Sequence, residues 1–171
     1  MADHRPFVPY PAPVLRTVAD PVDGVTDQVR AIWDEMLRAM YAMPGVGLAA
    51  PQLGIGLRLA VLDCSDSRDQ AIRLANPEIL WSSDATNAFD EASPNLPGAS
   101  ASIERPAEVE VRFLDEAGAE QVRKFEGLWA TSVQHQIDHL NGRMFFDNLS
   151  SLKRQRLLQA QKKRAKKAAR G

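Results

Sequence analysis

The segment Val133-Gln134-His135-Gln136-Ile137-Asp138-His139-Leu140 carries the reading on which the fold turns. His135 and His139 are one helical turn apart, so on an α-helix both imidazoles leave the same face and can meet at one metal ion. Metal hydrolases with the pattern H-E-x-x-H use this spacing, and the Glu between takes a proton from metal-bound water. Here that position is Gln136, whose amide cannot accept a proton at physiological pH. Helical spacing puts Ser132, His135, Gln136 and His139 on one face and leaves Trp129, Val133, Ile137 and Leu140 for a core. The predicted helix opens at Gly127 and closes at Asn141-Gly142, a glycine stop.

Two other stretches frame this helix. They are Gly45-Val46-Gly47-Leu48-Ala49-Ala50-Pro51-Gln52 upstream and Glu91-Ala92-Ser93-Pro94-Asn95-Leu96-Pro97-Gly98 between. In order and spacing the three resemble the peptide deformylase motifs GxGLAAPQ, EGCLSxPG and QHExDHLxG, the last matched by Gln134 to Gly142. The flanks from about Tyr10 to Arg156 are similar to that family too. The resemblance implies an α+β, peptide-deformylase-like fold, with mixed or antiparallel strands around a central metal-motif helix. It also implies descent from metallohydrolases that remove the formyl group from the N-terminal methionine of nascent proteins.

The departures fall on the positions that carry the chemistry. The resemblance implies a metal held by His135, His139 and a cysteine, but the cysteine position is Ser93. A neutral hydroxyl is a much poorer ligand than a thiolate. At most one divalent ion, Fe2+, Zn2+ or Ni2+, is expected, weakly held at His135 and His139. The family's oxyanion is met by the Gln of the first motif, here Gln52, and by the amide of the residue after the cysteine. That residue is Pro94, which has no N–H; losing one such donor costs roughly 2.7–4 kcal/mol of transition-state stabilisation. Base, ligand and amide donor are thus all altered, and a catalytically degenerate member is the expectation. Ser93 acting as a nucleophile with His135 or His139 as its base is a further arrangement of the same residues.

The resemblance also implies a slot for the methionine side chain, lined in the turn before the first histidine. Thr131 and Ser132 stand there, making the slot more polar unless their hydroxyls bond back to the helix. Peptide binding as an added strand would use main-chain groups near Val46 and Gly47. N-formylated or nascent peptides are therefore the expected partners. Two other readings stay open on sequence alone. One is an active metal-dependent amidohydrolase with an altered site or substrate, with Asp138 or water as base. The other is a ribosome- or RNA-associated binding protein.

The chain has 171 residues, of which 44% are hydrophobic, enough for a single core. No run approaches about 18 apolar residues, and the N-terminus lacks a signal-peptide pattern, so a soluble cytoplasmic protein is expected. One cysteine, Cys64, excludes an intrachain disulfide and reads as a core residue at a strand end. Asp27 to Ala42 has helical periodicity, ended by Pro44-Gly45. Strands are predicted at Arg58–Asp63, Arg73–Trp81, Glu108–Leu114 and Gln121–Phe125, with a turn at Asp115–Gly118 between the last two.

Charge is divided along the chain. Residues 1–149, the expected deformylase-like domain, hold all 22 acidic residues, whereas residues 150–171 hold nine basic and no acidic ones. This basic tail, helical or disordered, suits polyphosphates such as ribosomal RNA, through counterion release without sequence specificity.

Overall fold

In the computed structural model, which describes residues 3–171, the first helix, α1 (Asp27–Ala42), starts at Thr26, whose hydroxyl accepts the Val29 N–H at 3.2 Å. Its apolar stripe, with Trp33, Met36 and Met40 fully buried, packs on a sheet. The Trp33 indole N–H donates to the Leu74 carbonyl at 3.3 Å, so the stripe's largest side chain keeps its polar atom satisfied.

That sheet has five strands in the order β1-β2-β3-β6-β7: β1 (Gly47–Ala49), β2 (Leu59–Leu62), β3 (Ile72–Ser82), β6 (Glu108–Leu114) and β7 (Glu120–Glu126). Every neighbouring pair runs antiparallel. The expected β3 is longer than predicted and is broken by register shifts after Ala75 and after Ile79. Asn76 takes a positive φ of 50° before Pro77, and its side chain bonds both main-chain groups of Val22. A proline, having no N–H for the ladder, is placed where pairing is already interrupted.

A separate two-stranded sheet joins β4 (Thr86–Ala92) to β5 (Ser100–Pro106) through seven paired positions. Neither strand is among those predicted, nor is β1. Helix α2 (Gly127–Leu140) follows β7 directly and lies between the sheets, in contact with β1, β2, β4 and β5. Val133 and Ile137 join Val109, Val111 and Phe125 in the core on one side of α2. Its opposite face, with Ser132, His135, Gln136 and His139, is equally enclosed. The chain ends in α3 (Ser151–Arg170), capped by the Ser150 hydroxyl. Leu157 and Leu158 seat α3 against Leu96, Phe145 and Phe146, and none of its residues is buried. No helix among the described residues is long and apolar enough to cross a membrane.

Candidate active-site cleft

A cleft of about 420 Å³ opens between the two sheets. Its walls are Gly45 to Gly47 at β1, Asp90 to Pro94 at the end of β4, and Thr131, Ser132, His135 and Gln136 of α2, with Gln52 beside them. Residues as far apart in sequence as Gly45 and Gln136 are thus gathered in one place. Of the residues singled out from sequence, all line this cleft except His139, which lies behind His135 and is 1% exposed, and Asp138, the alternative base.

The wall at β1 is held by its neighbours on both sides. The Val46 carbonyl accepts the Asp63 N–H at 3.0 Å and the Ser132 hydroxyl at 3.2 Å. The Ser132 hydroxyl therefore bonds across to β1. Arg68 donates to the Gly45 carbonyl at 2.5 Å. With Val46 turned toward β2, alternation along the strand turns Gly47 toward the cleft. A side chain on Gly47 would have no room, because its Cβ would come within 2.5 Å of the Gln136 amide nitrogen. Cys64, just past β2, aims its thiol at the Val46 carbonyl at 3.7 Å, and burial pushes its pKa up to about 11.

On α2 the two imidazoles face each other, Nε2 to Nε2, at 3.1 Å. His135 Nδ1 meets Glu91 Oε1 at 2.8 Å, and Arg105 binds both oxygens of Glu91, at 2.7 and 2.9 Å. Arg105 also reaches Asp138 at 2.9 Å. Burial pushes the Glu91 carboxyl up, but the hydrogen bonds from His135 and Arg105 outweigh it and hold the pKa below the ordinary value. An ionised Glu91 fixes a hydrogen on His135 Nδ1. Burial, then the positive charge of its neighbours, holds His139 well below the ordinary histidine value. Its Nδ1 and the Gln136 Oε1 are buried side-chain atoms without a hydrogen-bond partner. Asp138 points away from this pair, occupied by Arg105 and, at 3.3 Å, Asn148.

The loop after β4 forms a closed polar network. Gln52 Oε1 accepts the Ala49 N–H at 2.9 Å, while its Nε2 donates to Asn95 Oδ1 at 2.9 Å and to Ser93 Oγ at 3.2 Å. Ser93 Oγ in turn donates to Asn95 Oδ1 at 3.0 Å and receives the Asn95 N–H at 3.5 Å. The hydrogens of Gln52 Nε2 and both lone pairs of Ser93 Oγ are engaged. Neither histidine is among the hydrogen-bond partners of Ser93. Pro94, the next residue, presents no N–H.

These donors do not fit a metal ion of the kind the motifs imply. The imidazole pair is suitably close, but Ser93 has no lone pair to spare, and Glu91 is shared by His135 and Arg105. Among the described residues no group of three or more His, Cys, Asp or Glu is placed to hold a metal. Glu91, Arg105 and Asn95 were not singled out as site residues from sequence. Glu91 and Asn95 stand inside a quoted motif, where the signal was available. Arg105 lies on an unpredicted strand and carried none.

Comparison with known proteins agrees with this architecture. The family model for polypeptide deformylase matches residues 4–155. A peptide deformylase of Phenylobacterium zucineum is 42% identical over 166 residues, covering 96% of this chain and 98% of that protein. One from Bartonella henselae is 43% identical over 164 residues, covering 95% and 93%. The crystal structure of a peptide deformylase from Legionella pneumophila superposes with a TM-score of 0.89 at 37% identity, covering 98% of this chain and 99% of that one. On sequence, fold and the order of its three motifs, the chain belongs to the polypeptide deformylase family.

Proposed function

We propose that this chain binds peptide N-terminal segments in the cleft between β1 and β4 and does not carry out the deformylase reaction. The observation that carries the reading is the saturated Gln52–Ser93–Asn95 network beside Gln136. Hydrolysis of a formamide needs a base for water and donors for the developing oxyanion. Gln136 supplies no base and Pro94 no donor, while both hydrogens of Gln52 Nε2 are already committed. Effects of this kind act on one transition state and do not add simply, but each alone is worth orders of magnitude in rate.

Binding makes lighter demands. An extended peptide can enter as a strand, using the main chain of Gly47 on one side and the unpaired edge of β4 on the other. Thr131, with Leu128 and Met43, then surrounds the first side chain, giving a pocket part polar and part apolar. The test is deformylation of a formyl-methionyl peptide by protein loaded anaerobically with Fe(II), Ni(II) or Zn(II), metal content being counted on the same samples. Release of formate should not exceed the metal blank, while a fluorescent formyl-methionyl peptide should still bind. Turnover that tracks bound metal would overturn the reading.

A second reading concerns α3. Eight of its nine basic residues are exposed, Arg154 being half-buried beside Asp147, on a helix held by one apolar edge, a surface suited to ribosomal RNA or another polyphosphate. Both readings are compatible with a protein that meets peptides near their site of synthesis.

A further inference from the structure

We propose that Asn95 does with hydrogen bonds what a shared metal ion would do with coordinate bonds. It ties the loop after β4 to the rest of the site, and it holds residue 93 as a hydrogen donor instead of a ligand. The inference rests on the reading that this site works without a metal, and it adds the residue responsible.

Asn95 is 1% exposed and bonds three separate segments. Its Nδ2 donates to the Val8 carbonyl at 2.6 Å and to the Gln52 carbonyl at 3.0 Å. Its Oδ1 receives Gln52 Nε2 and Ser93 Oγ, and its own carbonyl receives the Tyr10 N–H at 2.8 Å. Both side-chain hydrogens and both Oδ1 lone pairs are used, so the amide is a full cross-link among the N-terminal segment, the Gln52 turn and the motif loop. The motif the chain resembles has a serine here, which reaches less far and has one hydrogen to give instead of two.

The Oδ1 geometry has a chemical consequence for residue 93. Ser93 Oγ gives its one hydrogen to Asn95 Oδ1 at 3.0 Å and accepts from Gln52 Nε2 and the Asn95 N–H, so the group at this position is fully engaged within the loop. Restoring the cysteine alone therefore leaves its sulfur held by Asn95 and Gln52 and not free to coordinate with the histidines. Full restoration needs position 95 changed as well.

The experiment is a Co2+ titration of Ser93→Cys and of Ser93→Cys/Asn95→Ser, both in a Cys64→Ala background so that residue 93 is the only thiol. Thiolate-to-cobalt charge-transfer absorption is the readout. The double variant should bind at least about tenfold more tightly. Equal affinity, or tighter binding by the single variant, would overturn the proposal. If the double variant does not melt cooperatively, the single variant decides: a stoichiometric thiolate–cobalt band at micromolar metal overturns the proposal, and no band supports it. In the unaltered protein, melting should be the same with chelator and with excess Zn2+, since a ligand that binds the native state raises its stability; a rise with Zn2+ would contradict the cross-link. Deformylation by the unaltered protein judges the functional reading separately.

Discussion

The Tyr41 hydroxyl donates to Asp63 at 2.5 Å, and Asp63 also accepts from the Ser65 N–H and hydroxyl and from the Gln70 N–H. Through the Asp63 N–H this cluster holds Val46, and so the cleft wall. Burial pushes the Asp63 carboxyl up, but these hydrogen bonds prevail and hold it below 3.8. Burial and then Asp63 push the Tyr41 phenol from 10.0 up to about 12. The signs follow by linkage. Asp63 stabilises the fold above pH 3.8, an effect lost as pH falls through its folded value. Tyr41 stabilises it below pH 10.0, an effect lost as pH rises toward about 12. Thermal melts of Tyr41→Phe should lose stability less steeply than the parent between those alkaline values; parallel curves would remove the pair from the account. At this scale the sequence displayed Gln136, Ser93 and Pro94, each of which, on the function proposed above, lacks an atom that deformylation needs. It did not display Asn95 as a cross-link, because its partners Val8 and Gln52 are close only after folding.

Among the elements, α2 is fixed in length by its exit. Gly142 has φ +74°, its N–H donates to the His139 carbonyl at 3.1 Å, and the Arg143 N–H donates to the Asp138 carbonyl at 2.9 Å. A Cβ at residue 142 would lie 2.9 Å from the main-chain carbon and oxygen of Arg16, so the helix end and the N-terminal segment exclude each other's side chains there. Gly142→Ala should lower stability in urea unfolding by at least about 1–3 kcal/mol, from strain at positive φ and from the displaced segment. A loss below that would show that the segment moves freely. Helix α1 was readable because it buries a regular stripe, and it has the predicted bounds; α2, enclosed on both faces, was readable from its histidine spacing and glycine stop. Strands β4 and β5 were not, because Thr86–Ala92 holds Asn, Asp, Glu and Ala, residues with weak strand preference. Their pairing comes from the register of seven facing positions, which is long-range information.

For the whole molecule, the division of charge read from sequence survives as a division in space: an acidic body with a basic helix along one side. Leu157 and Leu158 dock α3, and Gln161 and Arg164 bond the carbonyls of Pro97 and Gly98 in the motif loop. Lys162, Lys163, Lys166 and Lys167 are exposed and make no salt bridge among those formed by the described residues. Replacing these four by Gln should weaken binding to an RNA duplex and flatten log K against log salt by roughly 0.7–0.9 per contacting cation, with melting unchanged. An unaltered salt slope would assign polyanion binding elsewhere or nowhere.

The two sheets meet the cleft with unpaired borders, β1 from one side and β4 from the other. An exposed border is a template on which another molecule's strand can stack, and proteins guard against this. The far border, β7, is guarded by Glu120, Arg123, Lys124 and Glu126. The borders at the cleft need no such charges: facing each other across a slot, they are out of reach of a neighbouring sheet. The opening proposed above to take one extended chain is thus also a guard against sheet-to-sheet stacking.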